Sequence, residues 1–290
     1  MDTYGHSLQR LQGAFVDFLH RMPFYGAAIV CSDDAGVRAV MPRIQRPVVR
    51  YGLDEGADYR ACDVQAVPGG GMRFVAQRPE AAPLAVELGL AGEHNVRNAL
   101  AAIAVAAELE LPDTAVQRAL AGFAGVGRRF QRHGEWACAD GGSCTLVDDY
   151  GHHPTEIDAT LAAAYLSQKA NGHQRVVVIF QPHRYSRTAS CWNQFAASLS
   201  KAAQVFLLDV YAAGEAPITG VNSATLTEAL KTSGVPVEYL PVPEQTSAAE
   251  GLAVVAKTIK SRIKNGDLII TLGAGNITTL GPLLASELSK

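Results

Sequence analysis

The amino-acid sequence predicts an α/β protein with two domains, of which the second is a doubly wound, mostly parallel sheet. Three observations lead to this prediction. The chain has 290 residues, and at roughly 150 residues per domain this length corresponds to about two domains. Continuous apolar runs alternate with helical patterns in the second half of the chain. The first half instead contains shorter segments of alternating polarity, which are typical of antiparallel strands.

The elements expected in the first domain are helices near both ends and short strands between them. Two alternating segments joined by Gly69-Gly70-Gly71 predict an antiparallel hairpin, since glycine suits tight turns. The boundary with the second domain is placed at Gly125-Val126-Gly127. In order, the predicted elements are an amphipathic helix 8–23, strand 27–31, strands 59–67 and 72–77, an apolar segment 84–90, and helices 95–109 and 112–122.

The second domain shows a regular order of strand and helix. Its strand candidates are almost entirely apolar, which is the pattern of a parallel strand covered by helices on both faces. Strands that alternate with helices in this way imply a doubly wound sheet with crossover connections. The predicted strands are 145–149, 175–180, 204–210, 237–240 and 267–272, and the predicted helices are 154–169, 186–201, 223–231, 247–264 and 276–288.

Composition and charge exclude several classes of protein. The 25 Lys and Arg residues against 28 Asp and Glu residues give a formal charge of −3, so a nucleic-acid or anionic-membrane partner has no electrostatic support. The longest apolar run, residues 99–107, is far too short to cross a bilayer. The chain is therefore expected to be soluble and globular, with no nucleic acid and no membrane among its partners.

The cysteines indicate a reducing compartment. They are five in number and show neither a CxxC pair nor zinc-like spacing. Cys138 and Cys144 flank a short turn and would face each other across a hairpin. The N-terminal segment has neither the basic nor the apolar region of a secretory signal. Buried thiols in the cytoplasm are therefore expected rather than disulfides.

Polar and ionisable residues follow four of the predicted parallel strands. In an open parallel sheet, ligands bind beyond the carboxyl ends of the strands, so these loops are the expected place for a site. The loops are residues 148–154 after the first strand, 181–187 after the second, 209–211 after the third and 273–276 after the last.

Arg184 and Arg187 are the most informative of these residues. Both are predicted near the start of a helix, where a cation opposes the positive end of the helix dipole and a nearby anion would reverse that balance. Two guanidinium groups suit a phosphate or a carboxylate, and their charge would stabilise an oxyanion. The alternative is an exposed basic helix start with no ligand.

His152 and His153 form a second candidate group. Neutral imidazole is a common metal ligand, but adjacent histidines point in different directions and no carboxylate or cysteine pattern completes a site. A polar contact, or a buried, hydrogen-bonded histidine next to Asp148 or Asp149, is the favoured interpretation, and no metal ligand is assigned. The turn at Gly273 would present N–H groups to an anion, although any tight strand-to-helix turn favours glycine.

Two further pairs lie in the first domain and at its end. Asn95 and Asn98, three residues apart, share a helix face, and an asparagine side chain can pair with the edge of an adenine. The alternative is one helix N-cap and one solvated surface residue. Arg128 and Arg129 lie at the proposed interdomain joint, where small-molecule sites are frequent, with a surface charge pair as the alternative.

Taken together, several of these segments resemble the Mur ligase family. They are 92–102 (GEHNVRNALAA), 127–131 (GRRFQ), 147–157 (VDDYGHHPTEI), 180–188 (FQPHRYSRT), 209–215 (DVYAAGE) and 273–276 (GAGN). The resemblance runs over essentially the whole chain. It implies a truncated central ATPase-type α/β domain over residues 1–126, followed by a Rossmann-like, doubly wound C-terminal domain over residues 127–290.

The resemblance implies ATP-dependent formation of an amide bond in peptidoglycan precursor synthesis. The γ-phosphate of ATP would pass to the carboxylate of UDP-N-acetylmuramate, and the amine of L-alanine would attack the resulting acyl phosphate. The segment 180–188 favours this branch of the family over the branch that reattaches a recycled murein tripeptide. A non-catalytic nucleotide- or peptide-binding module is the alternative from another class.

The family pattern also implies roles for individual residues. The residues expected near the adenine are His94, Asn95 and Asn98. Arg128 or Arg129 would lie near the terminal phosphate of ATP. The residues expected to face the reacting carboxylate and the amino acid are Tyr150, His152, Arg184 and Arg187. Cationic groups around a transferring phosphate and a developing oxyanion suit this chemistry.

One part of the family pattern has no counterpart in this sequence. No GxxxxGK[ST] phosphate loop is present, the domain that holds the UDP-sugar is absent, and residues 1–5 would follow directly after a family histidine that binds Mg²⁺. The chain is therefore expected to be the C-terminal portion of an enzyme, completed by the missing N-terminal portion in the same or a separate chain. Alone, with ATP and Mg²⁺, it is expected to be inactive or nearly so as a ligase.

Overall fold

The chain separates into two units, each with its own sheet. Unit 1 contains Met1–Val67 and Gly71–Ala124, and unit 2 contains Pro68–Gly70 and Gly125–Lys290. The structure is a computed structural model, and it describes residues 4–5, 7–68, 70–138, 140–243 and 247–289. Within those residues, no helix is long and apolar enough to cross a membrane.

Unit 1 contains a five-stranded mixed sheet. Its strands are β1 (Ala28–Cys31), β2 (Val48–Gly52), β3 (Tyr59–Val67), β4 (Gly71–Arg78) and β5 (Ala81–Leu88), and its helices are α1 (Leu8–His20), α2 (Ala35–Val40), α3 (Glu93–Glu108) and α4 (Asp113–Gly122). The strand order is β1-β2-β3-β4-β5. The first three strands are parallel, and the last three are antiparallel. The predicted hairpin is confirmed as β3 and β4, although Gly69 of its connection lies outside the described residues.

The sequence pattern does not predict α2 or β2 of unit 1. The helix α2 has six residues, which is too short for a helical period to stand out. It forms where Asp34 caps its first turn, with the Val37 N–H donating to the Asp34 carboxylate at 2.8 Å. The strand β2 carries the charged Arg50 in a run of five residues, so its apolar pattern is interrupted.

The helix α3 begins at a glycine because of the backbone conformation required there. Gly92 is the N-cap and has φ +95°, a region that side-chain-bearing residues rarely adopt. The face formed by Val96, Leu100 and Ile103 is fully buried. This apolar face packs α3 on β1, β2 and β3 and fixes the direction of its first turn, which carries Asn95 and Asn98.

Unit 2 contains a six-stranded sheet between two layers of helices. Its strands are β6 (Gln131–Ala137), β7 (Ser143–Asp149), β8 (Arg175–Phe180), β9 (Gln204–Leu207), β10 (Val237–Tyr239) and β11 (Asp267–Leu272). Its helices are α5 (Pro154–Asn171), α6 (Tyr185–Ser190), α7 (Trp192–Leu199), α8 (Ser223–Thr232), α9 (Ala248–Lys260) and α10 (Leu280–Leu288). The strand order is β10-β9-β8-β11-β7-β6, with β6 antiparallel and all other pairs parallel.

The predicted doubly wound sheet is confirmed, with three differences. β6 is an unpredicted antiparallel edge strand, since its largely exposed residues alternate with no clear apolar face. The predicted helix 186–201 is broken at Cys191, which ends α6 and precedes α7. The last predicted helix begins as a 3₁₀ turn, Asn276–Thr279, before α10.

The carboxyl ends of β7, β8, β9 and β11 lie along one edge of the sheet, which we call the carboxyl edge. The central strands β8 and β11 are buried along almost their whole length. Their backbones are paired residue by residue from Asp267 opposite Arg175 to Leu272 opposite Phe180. The loops that follow are therefore anchored at their start by rigid strands.

Candidate active site

Four aromatic rings form a continuous row along the carboxyl edge. Tyr150 and His152 follow β7, His183 follows β8, and Tyr211 lies beyond β9. The Tyr150 and His152 rings meet edge to face with centroids 5.2 Å apart, and the His152 and His183 rings are 5.6 Å apart. The row ends with His183 and Tyr211, which are stacked with centroids at 5.5 Å and an angle of 15° between their planes.

Backbone bonds hold the last two rings of this row together. The Arg184 N–H donates to the Tyr211 carbonyl, and the Tyr211 N–H donates to the Pro182 carbonyl, each at 2.8 Å. The loop after β11 passes so close that a Cβ on Gly275 would lie 2.5 Å from Cγ of Tyr211. A glycine is therefore required at this position, because nothing larger fits against the ring.

The turn at Gly273 is occupied by contacts within the chain. The Gln181 side chain accepts from the Ile277 N–H at 3.0 Å and donates to Asn276 Oδ1 at 2.7 Å. The carbonyl of Gly273 accepts from the Arg128 guanidinium. These bonds favour the structural explanation of the glycines in this turn over an anion site.

Arg128 and Arg129 lie at the Tyr150 end of the row. Arg128 Nε donates to Asp148 at 2.9 Å, and its guanidinium carbon lies 5.2 Å from the centre of the Tyr150 ring. Arg129 lies 5.8 Å from the same ring and 3.9 Å from the carboxylate of Glu156. The Arg128 guanidinium is thus engaged in an ion pair with the buried Asp148. The Arg129 side chain remains about half exposed.

The two aspartates at the end of β7 have structural partners. Asp149 accepts from the N–H groups of Phe130 and Gly151, both at 2.8 Å. Burial is the main influence on its carboxyl group and raises its pKa. Asp148 accepts from Thr271 at 2.6 Å in addition to Arg128. Both carboxylates are thus already engaged, and His152 makes its polar contact with the Tyr150 carbonyl instead.

The partner of His152 is Glu156. Its carboxylate lies 3.4 Å from Nδ1 of His152 and accepts from the backbone N–H groups of His152 and His153 at 3.0 and 3.2 Å. Nδ1 of His152 also lies 3.0 Å from the Tyr150 carbonyl. Glu156 is the third residue of α5 and closes a capping box with His153. One carboxylate therefore starts the helix and orients the imidazole.

Arg184 is paired with a carboxylate of the same chain, which offsets the unfavourable position of a cation at a helix start. It is the N-cap of α6 with φ +70°, and its Nε donates to Glu215 at 2.6 Å. Glu215 also accepts from the backbone N–H of Ser186 at 2.9 Å and from its hydroxyl at 2.6 Å. The charge of Arg184 is thereby balanced within the chain.

Arg187 has no such carboxylate. Its Nη1 donates to Nδ1 of His183 at 3.2 Å and lies 3.4 Å from the His183 carbonyl. In the part of the chain that the structure describes, no acidic side chain lies within ion-pair distance of Arg187. Of the two predicted arginines, Arg187 is therefore the one with charge available for an external anion.

Both imidazoles are expected to be neutral at neutral pH. Burial is the largest cause that lowers the pKa of His152 and of His183 below the ordinary 6.5, and Arg187 lowers both further. The unfolded chain then binds these protons more readily. The contribution of these two histidines to the free energy of unfolding is therefore fully present above pH 6.5. It is lost as the pH drops below that value.

We expect NMR titration of the ring signals to give midpoints below 6.5 for both histidines. Urea unfolding at about pH 7.5 and about pH 5.5 should show a larger loss of stability in the unmodified chain than in a variant with His152→Gln and His183→Gln. Midpoints at or above 6.5 would contradict the assignment of both imidazoles as neutral at neutral pH.

Replacing Glu215 by alanine is expected to remove the ion pair with Arg184 and the hydrogen bond to the first turn of α6 at the same time. Hydrogen bonds from Ser186, and then from Arg184, lower the pKa of Glu215 from 4.5 to about 2. The contact therefore contributes to stability above pH 4.5 and is lost as the pH falls through about 2. Hydrogen exchange at the Ser186 amide should become on the order of tenfold faster in Glu215→Ala. The control is Glu228→Ala on α8, and equal exchange in both would refute the role of Glu215.

In unit 1, the predicted residues cluster at the start of α3. Asn95 is buried, donates to the Ala91 carbonyl at 2.8 Å and accepts from Asn98 at 3.3 Å. Neither asparagine is the N-cap, so that alternative is wrong. Asn98 is exposed and His94 is half-buried. Asn95 therefore orients Asn98, whose remaining amide hydrogen and oxygen face solvent.

An ion pair ties this helix start to the sheet. Arg97 Nε donates to Asp33 at 2.7 Å, and Asp33 also accepts from the N–H of Leu53 at 2.9 Å. Asp33 follows β1 and Leu53 follows β2. The first turn of α3 therefore lies beyond the carboxyl ends of two parallel strands, where ligands of open sheets bind.

The described residues do not fit a resident metal ion. In the ranges that the structure covers, no group of three or more His, Cys, Asp or Glu side chains is arranged to hold one. The acids at the carboxyl edge of unit 2 are instead bonded to arginines and backbone amides. No step of the chemistry is therefore assigned to Mg²⁺ in this chain.

Four residues that form the ring row or bond to its neighbours were not among the predicted site residues. His183 and Tyr211 follow strands, so their position was a usable signal. Glu156 stands at the third position of a helix that starts with His-Pro, which indicates a capping box. Glu215 has no local signal, because it meets Arg184 from 31 residues away.

A mostly parallel sheet with charged and imidazole side chains at its carboxyl edge defines a doubly wound α/β protein. Two family models place it more closely. The Mur ligase middle domain matches residues 1–106, and the Mur ligase glutamate ligase domain matches residues 128–275. The chain belongs to the Mur ligase family.

Two curated relatives of the chain share a name. The UDP-N-acetylmuramate–L-alanine ligase of Methylibium petroleiphilum is 53% identical over 280 residues, covering 96% of this chain and 57% of the relative. The protein of that name from Burkholderia mallei is 49% identical over 287 residues, covering 99% and 59%. The chain thus spans little more than half the length of these relatives.

Solved structures agree on the fold. The UDP-N-acetylmuramate–alanine ligase of Thermotoga maritima superposes with a TM-score of 0.73 at 24% identity, covering 99% of this chain and 56% of that one. A murein peptide ligase from Psychrobacter arcticus gives a TM-score of 0.62 at 23% identity, covering 98% and 55%.

Proposed function

We propose that this chain supplies the amino-acid-adding part of a ligase that joins L-alanine to UDP-N-acetylmuramate at the expense of ATP. The observation that carries the proposal is the ring row of unit 2 together with Arg187, which contacts His183 in that row and has no internal carboxylate partner among the described residues. The relatives named for this reaction, at 49–53% identity, support the choice of substrates.

In unit 2, we assign Arg187 to the carboxylate of L-alanine. A guanidinium group binds a carboxylate through paired, charge-assisted hydrogen bonds. Arg184 is assigned a positioning role, because Glu215 already balances its charge. Tyr150 and His152 continue the ring row beside this group.

Arg129 is assigned to the phosphate of the acyl phosphate intermediate. Its weak contact with Glu156 at 3.9 Å and its exposure leave the guanidinium available. Arg128 is bonded to Asp148 and Gly273, so its role is to hold the loop that carries Arg129 and to stack on Tyr150. A fixed cation at this point would stabilise the charge that develops as phosphate departs.

In unit 1, we assign the adenine of ATP to the start of α3. Asn98 offers a free amide edge of the kind that pairs with adenine N6 and N7. His94 lies in the same turn, and the Asn95 side chain orients Asn98 by accepting a hydrogen bond from its amide. The location beyond the carboxyl ends of β1 and β2 supports this assignment.

The proposal extends to domain limits and compartment. We place the central domain at residues 1–126 and the C-terminal domain at residues 127–290, supported by the change of unit at Gly125. We place the protein in the cytoplasm, in line with its five free thiols.

A segment exchange tests the function. The matching segment of the Methylibium petroleiphilum relative is replaced by this chain, which gives an exchange enzyme, and phosphate release is measured with ATP, Mg²⁺, UDP-N-acetylmuramate and L-alanine. Release that requires every substrate is the expected result. A folded exchange enzyme that binds ATP but releases no phosphate would favour a non-catalytic module, and release with murein tripeptide in place of L-alanine would favour the recycling branch.

A further inference from the structure

The hydrogen bonds of His152 determine which ring nitrogen carries the proton. Its Nδ1 lies within reach of two acceptors, the Tyr150 carbonyl at 3.0 Å and the Glu156 carboxylate at 3.4 Å. Neither group can donate, so Nδ1 must carry the hydrogen. The neutral ring then has its lone pair on Nε2.

The hydrogen bonds of His183 give the opposite result. Its Nδ1 lies 3.2 Å from Nη1 of Arg187, and a guanidinium group can only donate. Nδ1 of His183 therefore accepts, and the hydrogen of the neutral ring is on Nε2.

The free nitrogen of each ring reaches solvent. Among the described residues, the buried side-chain nitrogens without a hydrogen-bond partner belong to His133, Trp136 and His173. Nε2 of His152 and Nε2 of His183 are not in that group and have no bond within the described part of the chain. Each is therefore accessible to a small ligand at the carboxyl edge.

We propose that these neighbouring imidazoles are held in opposite tautomers and divide the work on the incoming amino acid. Nε2 of His152 is a proton acceptor for the ammonium group, and Nε2–H of His183 is a hydrogen-bond donor to an oxygen of the reacting acyl group. Glu156 and Arg187 are the positioning residues that set the two tautomers. This inference rests on the proposed function, since it names roles in that reaction.

The proton balance of the step is complete. The ammonium group of L-alanine loses one proton to Nε2 of His152, and the N–H electron pair remains on nitrogen. That pair forms the C–N bond at the acyl carbon, while the C–O bond to phosphate breaks and phosphate leaves with its electrons. The second proton of the amine leaves with the phosphate. Nε2–H of His183 stabilises the oxygen of the tetrahedral intermediate.

The surroundings of the two rings favour the neutral state that this division requires. The groups that face His152 are Tyr150, His153, Glu156, His183 and Arg187, and those that face His183 are His152, Arg184, Arg187, Tyr211 and Glu215. Arg187 opposes protonation of both rings, and His153 opposes that of His152 as His152 opposes that of His183. Glu156 favours protonation of His152, and Glu215 favours that of His183. The negative charge of Glu156 therefore makes the His152 imidazole more basic than it would be without this neighbour.

Nitrogen-15 NMR of this chain with labelled histidine tests the tautomers without any ligand. We expect long-range proton–nitrogen correlations at about pH 7.5 to show a protonated Nδ1 in His152 and a protonated Nε2 in His183. The same tautomer in both rings would overturn the proposal, whatever the chain binds. The expected tautomers in a chain that gives an inactive exchange enzyme would instead count against the proposed function.

Glu156→Gln tests the link to the reaction. Glutamine keeps the capping box and an acceptor oxygen but removes the charge. The NMR midpoint of His152 should fall by roughly half a unit to one unit while its tautomer stays the same. In the exchange enzyme, the acid limb of the pH–rate profile should move down by the same amount, with a several-fold lower maximum rate.

The matched control is Glu228→Gln, an exposed glutamate on α8 that pairs with Lys231. It should leave the midpoint of His152 and the pH profile unchanged. A Glu156→Gln enzyme that binds L-alanine normally and shows an unshifted acid limb would overturn the role of His152 as proton acceptor.

Discussion

Arg187→Ala is expected to weaken the binding of L-alanine by on the order of 10- to 100-fold, as expected for the loss of a charged hydrogen-bonding partner. Arg187 lacks a carboxylate partner in the described part of the chain, and its contact to His183 leaves most of its donors free. Removing it takes away the cation that the substrate carboxylate would need. The measurement is the dissociation constant of L-alanine from this chain by NMR titration, together with the Michaelis constant of the exchange enzyme.

Two controls make the Arg187 result specific. Arg187→Lys keeps the charge but not the planar fork, so it should recover only part of the affinity. Arg262→Ala removes an exposed arginine that pairs with Glu238 and should change nothing. Equal affinity of the unmodified chain and Arg187→Ala would remove Arg187 from the site.

Asp149→Ala is expected to lower the free energy of unfolding by about 3 kcal/mol, within the range for breaking a buried, charged hydrogen-bond network. The carboxylate joins the start of β6 to the end of β7 by accepting from Phe130 and Gly151. Alanine would leave both N–H groups without a partner. The measurement is urea unfolding followed by the fluorescence of the tryptophans, both of which lie in unit 2.

Asp158→Ala is the control for this effect. Asp158 is about half exposed and pairs with Lys201 at 2.7 Å, and such surface pairs contribute roughly 0–1 kcal/mol. Asp149→Asn should have an intermediate effect, because its oxygen can replace only one acceptor. A stability loss no larger for Asp149→Ala than for Asp158→Ala would contradict the structural role.

The sequence predicted the interior of unit 2 well because its strands are buried on both faces. Arg175–Phe180 and Asp267–Leu272 have the predicted bounds, since a fully buried parallel strand is a continuous apolar run. The edge strand β6 was missed because one of its faces is solvated and its partner β7 decides its conformation. Short elements such as α2 were missed because six residues show no period.

Candidate site residues could be selected from the sequence where they directly follow strands. The candidates Tyr150, His152, Arg184 and Arg187 were selected in this way. What the sequence could not supply is pairing between distant residues. Local patterns cannot distinguish Arg184, which Glu215 neutralises, from Arg187, although both stand at the same helix start.

The position of β11 between β8 and β7 has a consequence for how the protein is made. The ribosome completes β7 and β8 long before β11, and at roughly 5–20 residues per second this interval lasts several seconds. During that time the two strands lack the neighbour that joins them, and their apolar edges stay unpaired. The nascent chain is therefore at its most vulnerable to aggregation until β11, which begins at Asp267, has emerged. Translation speed over the final segment and chaperone supply should then influence the yield of folded protein.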